Sequence, residues 1–558
     1  MIEMSAGQAV VDLIKAEAVR HVFGIVGSTF LDVLDVFHDD PGMMYVNVRH
    51  EQGAAFMADG LARITGLPGV CLVTSGPGAT NLVTGIAGAL VAHSPVVAIA
   101  GSTALAHQGR GAFQELDLVS LFRPITKLSV QVTQPSRIPD MLRLAFRTAM
   151  AGRKGPVFVD IPRDVLNDQV VSLDALPPEA YYRTPRAAVP PPEAVREAAR
   201  LLTRAARPLL VAGGGVTWAD ASGLAGRLTS RCGLPSVTAY GRNDAIPNDD
   251  RLYLGPLGRA GSPEAAEACR RADLLLVVGS RLGQFTSFFD ARYIQKGTPI
   301  IQVDIDPRDI GRVYPVVVEI QADAGETLDA LLAALGEMQV PTAWQREAEA
   351  LRARRRARLL AENALDAVPI KPQRVYAELR RALPANTIIA LDAGAAAAYG
   401  YDRLDFNSPR TFLTPLDLGS LGFAYPAALG AKLGRPERPV LAIHGDGGFL
   451  MNAQELETAV RHRIPAVALV MNNNCWGSEK AYQRHFYGGR YFGTDLGNPR
   501  FDRYADLFGA RGYYVERPDQ IGDVVRAALD AGQPAVVEVP IDPDEFPAPA
   551  TTARRRDA

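Results

Sequence analysis

Val440-Leu-Ala-Ile-His-Gly-Asp-Gly-Gly-Phe449, followed one helix length later by Ile464-Pro-Ala-Val-Ala-Leu-Val-Met-Asn-Asn473, decides the fold. Each run is apolar and strand-length, and the first ends in a glycine-rich turn that opens a helix. A strand, a tight turn, a helix and a second apolar strand make a βαβ unit of a parallel sheet. Gly445-Asp446-Gly447 alone is a common turn, and Asn472-Asn473 alone is a common strand end. Their pairing across one helix and one strand is much more specific. Glycines let the backbone approach a ligand, and the helix start offers free N–H groups to an anion. A carboxylate and an amide oxygen are hard ligands suited to Mg²⁺ that shares its shell with phosphate.

Working outward, Gly69-Val-Cys-Leu-Val-Thr-Ser-Gly-Pro-Gly-Ala-Thr-Asn81, an Ala-rich helix and Ser94-Pro-Val-Val-Ala-Ile-Ala100 repeat the same plan. The two stretches read as diverged copies of one α/β domain. Between them, Pro208-Leu-Leu-Val-Ala-Gly-Gly-Gly215, Asp273-Leu-Leu-Leu-Val-Val-Gly279 and Ile300-Ile-Gln-Val-Asp-Ile-Asp306 signal a third. The expected fold is α/β, with three consecutive doubly wound parallel-sheet domains at 1–170, 193–340 and 370–543. A Pro-rich connector runs from Leu176 to Glu193, and Ala343 to about Ala367, rich in Arg and Glu, reads as a solvated helical linker. Residues 544–558 read as a disordered tail.

Composition narrows the function. Among 558 residues, 47% are hydrophobic and the net charge is -2, so nothing favours nucleic acid or an anionic membrane as partner. The apolar runs are broken by Gly and Pro well before a membrane span, and the start has no basic segment leading into an apolar one. Four scattered cysteines fit neither a disulfide framework nor a zinc site, which points to a reducing cytoplasm.

Arg49-His50-Glu51-Gln-Gly-Ala-Ala-Phe-Met-Ala-Asp-Gly-Leu-Ala-Arg63 with Thr74-Ser-Gly-Pro-Gly-Ala-Thr-Asn81 resembles the pyrimidine-binding half of thiamine-diphosphate enzymes. The Gly445–Asn473 stretch resembles their diphosphate-binding half. More narrowly the chain resembles the acetolactate synthase family from Ala6 to about Pro543. The resemblance implies a thiamine diphosphate- and Mg²⁺-dependent lyase or ligase acting on a small 2-oxo acid or aldehyde. It would cleave the bond beside the carbonyl and then transfer the acyl group or form a new carbon–carbon bond. It implies Asp446, Asn473 and the Cys475 carbonyl as metal ligands. Gly445, Gly447, Gly448, Gly394, Ala395, Gly477, Ser478, Pro77 and Asn81 would contact the cofactor. Leu421 would sit beneath the bent cofactor, the Gly419 carbonyl would accept from its amino group, and Glu51 would be the catalytic carboxylate on the pyrimidine nitrogen. A homodimer or homotetramer with active sites at the subunit interface is implied too.

The substrate side is more individual. Gly111-Ala-Phe-Gln-Glu-Leu-Asp117 resembles the acetolactate synthase loop that lines the substrate, making Phe113 and Gln114 candidates. Gly27 and Ser28 stand where many relatives carry Gly-x-Pro-Gly. After Asn473 the chain departs from that family: Glu479, Lys480 and Tyr482 replace its usual apolar residue, Arg and Trp, the Arg being the one that grips the second oxo acid, and Trp476, Glu479 and Lys480 are the substrate candidates here. A Lys cannot reproduce that planar two-pronged grip. This run, with Arg242-Asn-Asp-Ala-Ile-Pro247 and Gly255-Pro-Leu-Gly-Arg-Ala-Gly-Ser262, looks more like sulfoacetaldehyde acetyltransferase, which passes an acetyl group to phosphate. Lys480 is therefore the expected cation for an anionic substrate, and a 2-hydroxyacyl-CoA lyase is a further alternative. FAD or ADP in the middle domain is not favoured, because Arg281-Leu-Gly-Gln-Phe285 replaces the stretch that contacts flavin in relatives.

Overall fold

A computed structural model describes residues 2–173 and 187–547. Most of the Pro-rich connector, and the tail beyond Pro547, lie outside the described residues.

Three six-stranded, all-parallel sheets follow one another along the chain, each flanked by helices. The first holds β1 (His21–Gly24), β2 (Met44–Asn47), β3 (Gly69–Val73), β4 (Val96–Ser102), β5 (Leu128–Gln131) and β6 (Val157–Pro162) in the order β2-β1-β3-β4-β6-β5. The second holds β7 (Pro208–Ala212), β8 (Ser236–Thr238), β9 (Tyr253–Pro256), β10 (Leu274–Val278), β11 (Ile300–Asp304) and β12 (Val318–Gln321) in the order β9-β8-β7-β10-β11-β12. The third holds β13 (Ile388–Leu391), β14 (Phe412–Leu413), β15 (Val440–Gly445), β16 (Val467–Asn472), β17 (Arg511–Tyr514) and β18 (Ala535–Pro540) in the order β14-β13-β15-β16-β18-β17. The first and third sheets share one strand order, as the repeated sequence plan requires. The second has the arrangement of dinucleotide-binding folds. In each sheet the central strands are buried end to end, which explains why they read as continuous apolar runs.

Five helices position the rest: α1 (Glu51–Thr65), α2 (Thr342–Ala361), α3 (Ala424–Gly434), α4 (Glu455–Arg461) and α5 (Gly477–Phe486). α1 of the first domain packs against α3 of the third, so one hydrophobic core runs through both. Small residues allow the approach. A Cβ on Gly60 would come within 2.2 Å of the Ala427 carbonyl oxygen, and one on Gly430 within 1.9 Å of the Met57 carbonyl oxygen. Phe56 meets Phe423 edge to face at 5.4 Å, and Phe56, Met57 and Ile64 are fully buried. Each such side chain contributes about 1.5–3 kcal/mol. The Arg63 guanidinium, paired with Asp59, donates to the Thr414 carbonyl of the third domain at 2.6 Å.

The stretch expected to be a solvated linker is α2, and it is partly a packed strap. Trp344 is buried and donates to the Pro208 carbonyl at 2.8 Å. Arg355 is buried and donates to Asp402 at 2.8 Å, and Arg358 donates to the same carboxylate at 2.6 Å. Charge content misled the reading because cation and anion neutralise each other inside the protein, where an unpaired charge would be prohibitive. The expected disordered tail is described as far as Pro547, and Glu545 accepts from Lys371 and Gln373.

Glu455 of α4 reaches from the third domain to the start of α1. It is buried and accepts from the backbone N–H groups of Arg49 and His50 at 3.2 and 3.0 Å, and from Thr458 at 2.7 Å. Burial pushes its carboxyl up from 4.5 to about 7, and neighbouring Glu457 adds to the rise. Between those two values the folded chain keeps a proton that the unfolded chain releases, so this group's contribution to stability falls as pH rises across that window. Glu455→Gln removes the titration. In thermal denaturation of the cofactor-free protein, the melting temperature of Glu455→Gln relative to wild type should rise from pH 5 to about pH 7 and level off above it. A difference independent of pH would show that the carboxyl does not titrate there.

Candidate active site

The carboxyl ends of the first and third sheets each carry a cluster of predicted residues. In the first domain the turn after β3 is the hub. Glu51, first residue of α1, is buried and accepts from the Asn81 side-chain N–H at 2.8 Å. Pro77 starts the short helix that Asn81 closes. Ser75 donates to the Gln114 side-chain oxygen at 3.1 Å, which folds the Gly111–Asp117 loop onto this turn. Gly27 rests on Thr74, where a Cβ would come within 2.5 Å of the Thr74 side chain. The structure therefore gathers Glu51, Pro77, Asn81, Gln114 and Gly27 at one place. Ser28 and Phe113 are exposed, and the Phe113 backbone carbonyl alone is engaged, by Thr103.

In the third domain the centre is Asp446, buried at the start of the helix after β15. Burial raises its carboxyl above the ordinary range, while the backbone N–H groups of Gly447 and Cys475 and the Asn498 amide pull it down. The Cys475 main chain, the third predicted ligand, thus lies beside Asp446. Asn498 donates to Asp446 at 2.7 Å and to Asn472 at 3.1 Å, while its own amide oxygen is buried without a donor. Asn473 stands at the end of β16 with its amide nitrogen close to Gly477. Among the described residues no three His, Cys, Asp or Glu side chains cluster to hold a metal. The Asp446 carboxylate, with the Cys475 main chain beside it, is instead a single hard oxygen donor group, which suits a divalent cation that keeps other ligands.

Around it the glycine turns form a cradle. A Cβ on Gly447 would come within 2.4 Å of the Trp476 ring, and one on Gly448 within 2.4 Å of the Asp392 carboxylate. Asp392 accepts from the backbone N–H groups of Gly422 and Phe423 at 3.0 and 3.1 Å and meets His444 Nδ1 at 3.0 Å. One buried carboxylate so ties together the turn that holds Gly394 and Ala395, the Gly419–Leu421 turn and strand β15. Leu421 lies close over Gly394, Gly477 packs on Ala395, and Gly419 adopts a positive φ of 66°. These residues fit an anionic group seated on backbone N–H groups.

Two placements depart from expectation. Trp476 covers Gly447 rather than an open pocket. Lys480 donates to Asp495 at 2.9 Å and stacks on Tyr491, so its charge is already matched, and Glu479 is exposed. Sequence reasoning missed His444 and Asn498. Strand alternation could have flagged His444, which precedes the Gly-Asp-Gly turn; nothing periodic marks Asn498 in its loop.

Residues 4–121 match the thiamine pyrophosphate enzyme N-terminal TPP binding domain, 195–331 the central domain and 392–539 the C-terminal TPP binding domain. The chain belongs to the thiamine pyrophosphate enzymes, a class of carbon–carbon bond-processing enzymes. Within it, the chain is 36% identical to a probable acetolactate synthase large subunit of Methanocaldococcus jannaschii, over 97% of this chain and 93% of that protein. It is 36% identical to the acetolactate synthase isozyme 2 large subunit of Escherichia coli, over 97% and 96%. It is 33% identical to a sulfoacetaldehyde acetyltransferase of Alcaligenes xylosoxydans xylosoxydans, over 96% and 93%.

If the cradle seats a diphosphate, crowding it should weaken binding. Gly447→Ala pushes a methyl group into the Trp476 ring and should lower thiamine diphosphate affinity at least tenfold, or about 1.4 kcal/mol. Quenching of tryptophan fluorescence on titration with the cofactor and Mg²⁺ measures this. Wild-type affinity in the variant would remove Gly447 from the cradle.

Proposed function

We propose that the chain is a thiamine diphosphate- and Mg²⁺-dependent enzyme that breaks or makes the bond next to the carbonyl of a small 2-oxo acid, as its acetolactate synthase relatives' name suggests. One observation carries the reading: two glycine turns at the carboxyl ends of two sheets with the same strand order bear complementary groups. One presents a buried carboxylate held by an amide, Glu51 on Asn81; the other presents Asp446 beside the Cys475 backbone.

In this reading Asp446, Asn473 and the Cys475 carbonyl hold Mg²⁺. Gly445, Gly447, Gly448, Gly394, Ala395 and Gly477 seat the diphosphate. Leu421 would pack against the cofactor, and the Gly419 carbonyl would accept from its amino group. Glu51, oriented by Asn81, exchanges a proton with the pyrimidine nitrogen, and Trp476 keeps water from the diphosphate turn. The cofactor, when bound, supplies the carbon nucleophile and the electron sink.

Two copies complete the site. Among the described residues no hydrogen bond or ion pair links the side chains of Glu51 and Asp446. Each group is flanked by large apolar side chains left exposed: Phe113 beside Gln114, and Leu450 and Met451 after the Asp446 turn. A second copy that covers them would set Glu51 of one subunit against Asp446 of the other. The four cysteines are buried and unpaired, in keeping with a cytoplasmic protein, and among the described residues no helix is long and apolar enough to cross a membrane. The cavity at the crevice of the middle sheet is about 170 Å³ and is bordered by the Arg153–Asp306 and Arg281–Asp417 ion pairs. A second reading, cleavage of sulfoacetaldehyde with acetyl transfer to phosphate, is favoured by the relatives of that name.

Dialysis against chelator should abolish activity, and thiamine diphosphate with Mg²⁺ should restore it. Holoenzyme incubated with pyruvate or sulfoacetaldehyde, with and without phosphate, should give products that mass spectrometry separates. Carboligation releases CO₂ without phosphate, whereas acetyl transfer requires it. Inertness toward every oxo compound would defeat both readings. Glu51→Gln should bind cofactor but lose 10²- to 10⁴-fold in kcat, on the order expected of a lost acid–base group. Mixing it with Asp446→Ala should restore part of the activity through hybrid dimers. No recovery after verified subunit exchange would place both groups in one subunit's site.

A further inference from the structure

A second, larger cavity of about 430 Å³ opens where the middle domain, the third domain and α5 meet. One wall is Ser478, Ala481 and Tyr482 of α5, directly after the Cys475–Gly477 turn. The facing wall is the Gly258–Pro263 turn of the middle domain. Four arginines border the space, and three are spoken for. Arg358 pairs with Asp402 and Glu264, Arg403 with Glu362 at 2.6 Å, and Arg292 with Asp290 at 3.0 Å.

Arg259 is different. Among the described residues its guanidinium has no ion pair and no hydrogen bond; the Phe285 ring lies 4.8 Å beneath it, and the buried Tyr240 and Tyr401 feel its charge. Its backbone is held firmly. Gly258 has a φ of 101° and presses on the Phe285 carbonyl so closely that a Cβ would come within 1.9 Å, while the Arg259 N–H donates to that carbonyl at 2.7 Å. On the next turn Ser262 caps the following helix by accepting from the Ala265 N–H at 3.2 Å. The result is a stacked, oriented cation whose edge N–H groups are uncommitted and which borders a cavity that also touches α5.

We propose that this cavity seats a small oxyanion and that Arg259 is the residue that binds it, taking the place that Lys480, tied to Asp495, does not fill. The oxyanion is the sulfonate or carboxylate of the carbonyl substrate, or inorganic phosphate as acceptor. A guanidinium fixed by stacking presents its donors in the fork that all three recognise. This inference rests on the reading that the Cys475–Ser478 turn borders the reaction site. Arg259 is thereby a specificity-determining residue rather than part of the proton chemistry.

The test uses the full-length holoenzyme with thiamine diphosphate and Mg²⁺, as wild type, Arg259→Met, Arg259→Lys and Lys480→Met. Calorimetry measures binding of inorganic phosphate, methanesulfonate and pyruvate, and kinetics compare pyruvate and sulfoacetaldehyde with the neutral diketone 2,3-butanedione. Arg259→Met should bind its anion roughly 10- to 100-fold more weakly, as expected when one charge-assisted hydrogen bond is lost. KM for the anionic substrate should rise in parallel, butanedione turnover should hold within about twofold, and Arg259→Lys should recover part of the loss. Cofactor affinity, read by tryptophan fluorescence, should not move. Which of the three anions loses affinity identifies the source of the oxyanion. Unchanged anion binding in Arg259→Met, no anion binding in wild type, or a loss in Lys480→Met alone would overturn the proposal. Equal losses for neutral and anionic substrates would do so as well. If no carbonyl compound is turned over by wild type, the functional reading falls, while calorimetry still decides Arg259.

Discussion

The close packing of α1 on α3 is the contact on which the other arrangements depend. It requires backbone to approach backbone, which Gly60 and Gly430 permit and a Cβ at either would block. Because α1 begins at Glu51, the same packing sets where that carboxylate sits relative to the third domain. Glu455 then fixes the entry to the helix by accepting the two backbone N–H groups just before Glu51. The first and third domains thus form one body around a shared core, with α1 aimed from its interior toward the Thr74–Asn81 turn.

Buried carboxylates recur in this molecule, and each is handled differently. Glu51 is held by an amide, Glu455 by backbone and a hydroxyl, Asp402 by two arginines and Asp392 by two backbone N–H groups with a histidine. Asp446 is held by the Asn498 amide N–H and by the backbone N–H groups of Gly447 and Cys475. Burying a carboxylate is costly, and at each of these acids hydrogen-bond donors offset the cost.

Much of this was legible in the sequence because it rests on local patterns. The three sheets follow from apolar runs that end in glycine turns, and the two half-sites from Glu51, the Thr74–Asn81 turn and the Gly445–Asn473 spacing. What escaped depends on partners distant along the chain. α2 looks solvated until Asp402, 47 residues beyond Arg355, is seen to neutralise it. Lys480 looks like a free cation until Asp495 is seen to take its charge. Arg259 is one more charged residue in the sequence, and its significance comes only from its forming no ion pair among the described residues and from the Phe285 ring that orients it. An absent partner leaves no mark in a sequence.

The equal strand order of the first and third sheets shows how one architecture divides two tasks. In a parallel sheet every strand leaves its carboxyl end at the same edge, so each copy offers a set of turns and helix starts there. In the third domain that edge is largely stripped of side chains: Gly445, Gly447 and Gly448 bare the backbone, and the acids there, Asp392 and Asp446, are buried. In the first domain the same edge keeps its side chains: Asn81 donates to Glu51, and Ser75 of the same turn donates to Gln114. A phosphate is best held by backbone N–H groups and a cation, whereas a heterocycle is best read by oriented side chains. Neither edge can do both, because the glycines that admit a diphosphate remove the side chains that would recognise a ring. Duplication followed by divergence lets each copy specialise. The middle domain, which shares neither edge, holds Arg259 over the Phe285 ring without an ion pair among the described residues, and in our proposal this is the charge that meets the substrate's anionic end.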